Sequence, residues 1–145
     1  VEIYSIGFTK KSAAQFFGTL RQAGIRRLLD VRLNNSSQLA GFTKRGDIEY
    51  FLAEICAATY EHEPVLAPTQ ELLNAYKKQG GSWAEFERGF LALMADRRVE
   101  HRVSRSGFQV PTVLLCSEPK PDRCHRRLVA EYLRDRWGDV HIVHL

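Results

Sequence analysis

The 145-residue chain is 44% hydrophobic and 26% charged, with a formal net charge of +4. That composition and length are those of one globular domain with a sizeable core, and they argue against disorder. No run approaches the roughly 18 apolar residues of a membrane helix, and Val1-Glu-Ile-Tyr-Ser5 reads as a strand, not a signal peptide. Three cysteines do not make a disulfide framework. The expectation is a soluble, cytoplasmic protein with free thiols and no membrane partner.

In chain order, Val1–Gly7 is a short apolar strand running into a turn. Ser12-Ala-Ala-Gln15 has the capping-box pattern, and Phe16, Phe17, Leu20 and Ala23 share one helical face before Gly24. Arg27–Arg32 reads as a second buried strand with charges at its end, followed by a turn-rich stretch from Leu33 to Thr43. A helix follows from about Gly46 to Ala58, with Ile48, Phe51, Leu52 and Ile55 inward. Thr59–Glu63 suits a third strand, and Thr69–Lys78 a helix closed by Gly80-Gly81. Ser82-Trp-Ala-Glu85 opens another helix, carrying Phe86, Phe90, Leu93 and Met94. The basic segment Arg97–Gln109 reads as a frayed helix end and a mobile loop. Strand Val110–Cys116, helix Asp122–Arg136 and strand Val140–Leu145 complete the pattern.

Strands alternating with helices, without repeats or linkers, predict a single domain over residues 1–145. It should be a three-layer α/β/α, Rossmann-like fold with a mostly parallel sheet of about five strands. Ligands of such sheets bind beyond the carboxyl ends of the strands. Ser5-Ile-Gly-Phe8, Asp30-Val-Arg32 and Cys116-Ser-Glu118 fall there.

Those strand ends also carry a resemblance. Tyr4-Ser-Ile-Gly-Phe8, Leu29-Asp-Val-Arg32 and Leu114-Leu-Cys-Ser-Glu118 followed by Cys124-His-Arg126 resemble the bacterial and archaeal family called domain of unknown function 488. The likeness runs over nearly the whole chain and departs at Gly41-Phe-Thr-Lys44 and Val65-Leu-Ala-Pro-Thr69. It implies a cytosolic, single-domain α/β protein and supplies no established activity.

Residues 112–126 hold most of the chemistry. Cys124 and His125 should lie in the first turn of the last long helix with Asp122 as N-cap, where free N–H groups favour a thiolate or an anion. Arg123, Arg126 and Arg127 add positive charge. Cys124 is equally readable as a small core residue, Cys116 as a buried thiol or a catalytic one, and Cys56 as core. Glu118 is a general acid/base candidate or half of a structural ion pair. Asp30 and Arg32, two apart on a strand, share a face; an Asp30 carboxylate that orients Arg32 toward an anion is the favoured reading. Gly7, beside Phe8, allows a close approach to a ligand or a tight turn.

Three chemistries are weighed against this. Cys116, Cys124 and His125 are soft metal ligands, but no Cys-x-x-Cys occurs, and adjacent helical residues diverge by about 100°. Neither a metal nor a cofactor is expected. A phosphatase- or sulfurtransferase-like loop after Cys116 would need successive N–H donors, and Pro119 and Pro121 remove two. Arg97, Arg98, Arg102 and Arg105, near Phe108, form a basic strip that is either a nucleic-acid contact or a solvated surface. The leading expectation is an enzyme acting on a phosphorylated, nucleotide-like or nucleic-acid ligand. Arg32, Arg123, His125 and Arg126 would face the anion, with Asp30, Cys116, Glu118 and Cys124 as catalytic candidates. A nucleic-acid-binding module is the alternative, and a thiol-dependent phosphatase- or sulfurtransferase-like activity is a minor one.

Overall fold

The alternating pattern folds into one five-stranded sheet in the computed structural model, which describes residues 1–36 and 41–145. Part of the turn-rich 33–43 stretch therefore lies outside the described residues. The strands are β1 (Glu2–Gly7), β2 (Arg27–Asp30), β3 (Thr59–His62), β4 (Thr112–Cys116) and β5 (His141–His144). Their order is β3-β2-β4-β1-β5, and every neighbouring pair is parallel. Thr-Val-Leu-Leu-Cys of β4 is buried throughout because it is the central strand and both faces are covered.

Helices α1 (Ala13–Gln22) and α2 (Arg45–Phe51, continued by a π turn over Leu52–Cys56) cover one face. Phe16, Phe17, Leu20, Ile48 and Leu52 pack there on Ile6, Leu28, Val113 and Leu115. On the other face lie α4 (Trp83–Arg97), α5 (Val99–Arg102) and α6 (His125–Trp137). Phe86, Phe90 and Met94, one helical turn apart, pack with Leu128, Val129 and Leu133 against Leu29, Leu114 and Cys116. Each such side chain contributes roughly 1.5–3 kcal/mol by leaving water. The short α3 (Gln70–Lys77) packs against α4 at the carboxyl edge of the sheet. Among the described residues no helix is long and apolar enough to cross a membrane.

Two expected elements differ. The 97–109 segment is not a frayed end and loop: α4 stops at Arg98 (φ 52°, ψ 52°), α5 follows at once, and a 3-10 turn covers Arg105–Gln109. Val99, Val103 and Phe108 are buried, which holds the segment down. The last helix begins at His125, not Asp122. A turn from the Cys124 N–H to the Pro121 carbonyl, 3.2 Å, precedes it, and Cys124 is its extended N-cap (φ −133°, ψ 137°).

Candidate functional site

Parallel packing brings the ends of β1, β2 and β4 side by side, with Gly7 paired to Cys116 and Asp30 to Leu115. Above them opens a cavity of about 360 Å³. Its floor is Cys116, Cys124 and His125; Phe8, Trp83 and Phe86 form apolar walls; Lys77, Lys78, Arg123 and Glu118 stand at the rim.

The floor is a coupled polar cluster in an apolar setting. His125 Nε2 lies 2.7 Å from the Val31 carbonyl oxygen, so that nitrogen carries the proton and donates. Nδ1 then faces the Cys116 sulfur at 3.4 Å. Phe90 packs on the ring, with centroids 5.4 Å apart. The two thiols divide their roles. A hydrogen bond from the Cys124 thiol lowers the Cys116 pKa against the cost of burial, helped by the Ser117 N–H and the Arg126 charge. Burial, and the bond it donates, push the Cys124 thiol far up. Burial likewise lowers His125, which keeps the ring neutral.

Behind the floor lies Arg126, fully buried and, among the described residues, without a carboxylate partner. Its Nη1 donates to the Glu118 carbonyl oxygen at 2.6 Å and its Nε to Ser5 Oγ at 3.2 Å, while Nη2 has no partner among the described residues. The Ser5 hydroxyl also lies 2.5 Å from His144 Nδ1. Lys11 Nζ, 2.8 Å from the Gly7 carbonyl oxygen, completes a cationic cluster; burial and then Arg126 lower its pKa. Arg126 is not among the residues lining the cavity, and its guanidinium holds the Glu118 carbonyl oxygen.

Asp30 and Arg32 share a face, as alternation requires, but they spend themselves on each other. Asp30 accepts four hydrogen bonds: from Arg32 N (3.1 Å), Nε (2.9 Å) and Nη2 (2.7 Å), and from the Tyr60 hydroxyl (2.6 Å). Such a carboxylate has no lone pair free for proton transfer. Arg32 also donates to the Thr43 side chain (3.3 Å) and carbonyl (2.7 Å) and lies over the Phe8 ring at 5.3 Å. Burial works against its charge, but the bonds to Asp30 win and raise its pKa. Arg32 borders the cavity as a braced wall.

The rim carries the exposed charges. Glu118 is 43% exposed and pairs with Lys77 at 3.2 Å. Arg123 and Lys78 reach the cavity with no ion pair or hydrogen bond among the described residues. Lys77, Lys78, Trp83 and Phe86 line the cavity, and Tyr60 and His62 bond Asp30 and Arg32, although no sequence motif marks any of them as a site residue. His62 Nε2 lies 2.8 Å from the Arg32 carbonyl oxygen, at the end of β3; its position one strand over was the available signal.

The basic strip disperses. Arg97 Nη1 caps the Val65 and Ala67 carbonyls at 2.9 and 2.7 Å, and Arg105 reaches the Gly138 carbonyl at 3.3 Å. Phe108 is buried against Trp137, with centroids 5.6 Å apart, and so offers no stacking face. Arg98 and Arg102 are exposed.

A three-layer α/β protein with a buried cysteine–histidine cluster at the carboxyl edge of a parallel sheet is the class these features define. Residues 12–133 match the family described as Domain of unknown function DUF488, and the chain belongs to that family. No curated protein and no solved structure matches it.

Proposed function

We propose that the protein is an enzyme that binds a planar, anionic, nucleotide-like ligand in the carboxyl-edge cavity and acts on it at the Cys116–Cys124–His125 floor. One observation carries this reading: three buried groups able to hold or move protons open onto a cavity with aromatic walls and a cationic rim. Titratable groups held together in a cleft with shifted proton affinities are the default candidates for a site of chemistry. Trp83 and Phe86, stacked with centroids 5.2 Å apart, offer a flat apolar wall to a base-like ring. Lys78 and Arg123 are uncommitted and suit a phosphate. Glu118, tethered to Lys77 at the same rim, would give or take a proton there.

Titrating nucleoside mono- and diphosphates while following tryptophan fluorescence and the melting temperature tests the reading. At least one should saturate, with a signal that Trp83→Phe removes. Arg123→Gln should weaken it about tenfold, the size of one hydrogen bond to a charged group. Glu118→Gln should bind the same ligand without turning it over. No saturable binder in the series, or binding indifferent to both Trp83→Phe and Arg123→Gln, overturns the assignment.

A further inference from the structure

The floor of the cavity has a property that ligand binding alone does not require. One ligand atom each from Cys116, Cys124 and His125 lies within 4.8 Å of the other two. All three residues are buried, at 4%, 2% and 7% exposure. A tetrahedral zinc ion, with Zn–S near 2.3 Å and Zn–N near 2.0–2.1 Å, holds its sulfur and nitrogen ligands about 3.5 Å apart. Cys116 Sγ and His125 Nδ1 are 3.4 Å apart. The His125 ring is also oriented as a ligating imidazole is: Nε2 donates to the Val31 carbonyl, leaving the Nδ1 lone pair facing the sulfur.

Neighbouring residues within one helix diverge by about 100° and could not readily share an ion. Cys124 is instead extended (φ −133°, ψ 137°) and stands before the first helical residue, so helical divergence does not apply to it. Its sulfur reaches the same space as the His125 nitrogen.

We propose that Cys116, Cys124 and His125 form a three-ligand site for zinc. Two thiolates and an imidazole select zinc over the oxygen-seeking magnesium, calcium and manganese. Binding balances: each thiol loses its proton to solvent, the imidazole stays neutral, and one divalent ion replaces two protons. The site is uncharged before and after, which spares it the desolvation cost of an isolated buried ion. Among the described residues these three are the group close enough to share an ion, and all three line the cavity. The fourth position is thus water's or the ligand's, the pattern of catalytic and not structural zinc. An ion there would polarise a ligand oxygen or ionise its bound water. What the ion does rests on the enzyme reading above; whether it binds does not.

The test uses the 145-residue chain, reduced and stripped with a chelator, titrated with zinc chloride alone and in parallel with cobalt chloride. One ion should bind per chain with release of two protons, and cobalt should give the absorption of a four-coordinate, thiolate-ligated ion. Cys116→Ser and Cys124→Ser should each lose more than the roughly 10–100-fold that outer-sphere partners carry. Cys56→Ser, on the α2 side of the sheet, should bind as wild type. Sub-stoichiometric uptake, octahedral cobalt spectra, retained affinity in Cys124→Ser, or a Cys116–Cys124 disulfide forming in protein that takes up no metal when reduced would each overturn the site. The cobalt spectrum of the unaltered protein decides even if a serine variant fails to fold. No nucleotide is present, so failure of metal uptake and failure of the enzyme reading are separate results.

Discussion

The Glu118 carbonyl oxygen lies 1.6 Å from the point where a Cβ on Gly7 would sit. The end of β1 and the loop after β4 therefore touch backbone to backbone, and Arg126 fastens the same oxygen from below at 2.6 Å. Gly7 is needed for this approach, not for a positive φ, since it is absent from the glycines with one. Any side chain there must lift the Glu118 loop or push β1 out of register with Cys116.

Gly7→Ala is expected to cost about 1–3 kcal/mol, the usual range for overpacking. It should cost affinity for the proposed ligand as well, because lifting the loop displaces the cavity lining at Ser117 and Glu118. Gly18, within α1 and with nothing within 4 Å of a built Cβ, is the control. There alanine should stabilise by about 0.5–1 kcal/mol through helix propensity. Urea titration of both variants checks the contrast; equal effects would mean the close approach is not under constraint.

The buried Asp30–Arg32 pair is expected to behave asymmetrically. Asp30→Asn leaves a 6% exposed guanidinium without its counter-charge and should cost about 3–5 kcal/mol. Arg32→Met in the same background should recover much of that, because it removes the stranded cation. A double-mutant cycle by chemical denaturation measures the coupling. A cost below about 1 kcal/mol for Asp30→Asn would return Asp30 to the list of groups free to act on a ligand.

The strand ends were legible because each closes an apolar run with a residue a buried strand does not otherwise want: Gly7, Asp30, Cys116. Ser12 was legible because its capping box is local, with Ser12 N to Gln15 Oε1 at 2.9 Å and Gln15 N to Ser12 Oγ at 3.1 Å. What escaped was set by contacts distant in sequence or by one torsion. Asp122 has the chemistry of an N-cap, but the Pro121 turn delays the helix to His125 and frees Cys124 to fold toward Cys116. Arg98 breaks α4 in a left-handed conformation, so Val99, Val103 and Phe108 are buried without a single period to reveal them. Tyr60 and Thr43 satisfy Asp30 and Arg32 from elsewhere in the chain, and no local pattern announces either.

Tyr60 supplies a pH signature. Burial and the bond donated to Asp30 raise its pKa to about 12. A group whose folded pKa exceeds its unfolded value of 10.0 gives stability that is complete below pH 10 and is lost as pH climbs toward 12. Tyr60→Phe should remove that part of the alkaline decline while lowering stability at neutral pH by about 0.5–1.5 kcal/mol, one hydrogen bond's worth. Thermal unfolding from pH 8 to 11 reads both effects. A tyrosinate titration of Tyr60 near pH 10 would show that Asp30 does not hold the proton.

The basic strip separates into two kinds of arginine, and they should respond differently. Arg97 donates to the Val65 and Ala67 carbonyls, so Arg97→Gln should cost about 1–3 kcal/mol by stranding partly buried acceptors. Arg98 and Arg102 face solvent, so their joint replacement by glutamine should change stability by under about 0.5 kcal/mol. Nucleic-acid affinity is then a clean readout of the exposed pair. Each phosphate neutralised contributes a slope of roughly −0.9 in log K against log salt. With Phe108 buried, the wild-type slope on duplex DNA is expected to be shallow and nearly unchanged in the double variant. A steep slope that falls by about 2 when Arg98 and Arg102 are lost would instead make that surface a phosphate-binding face.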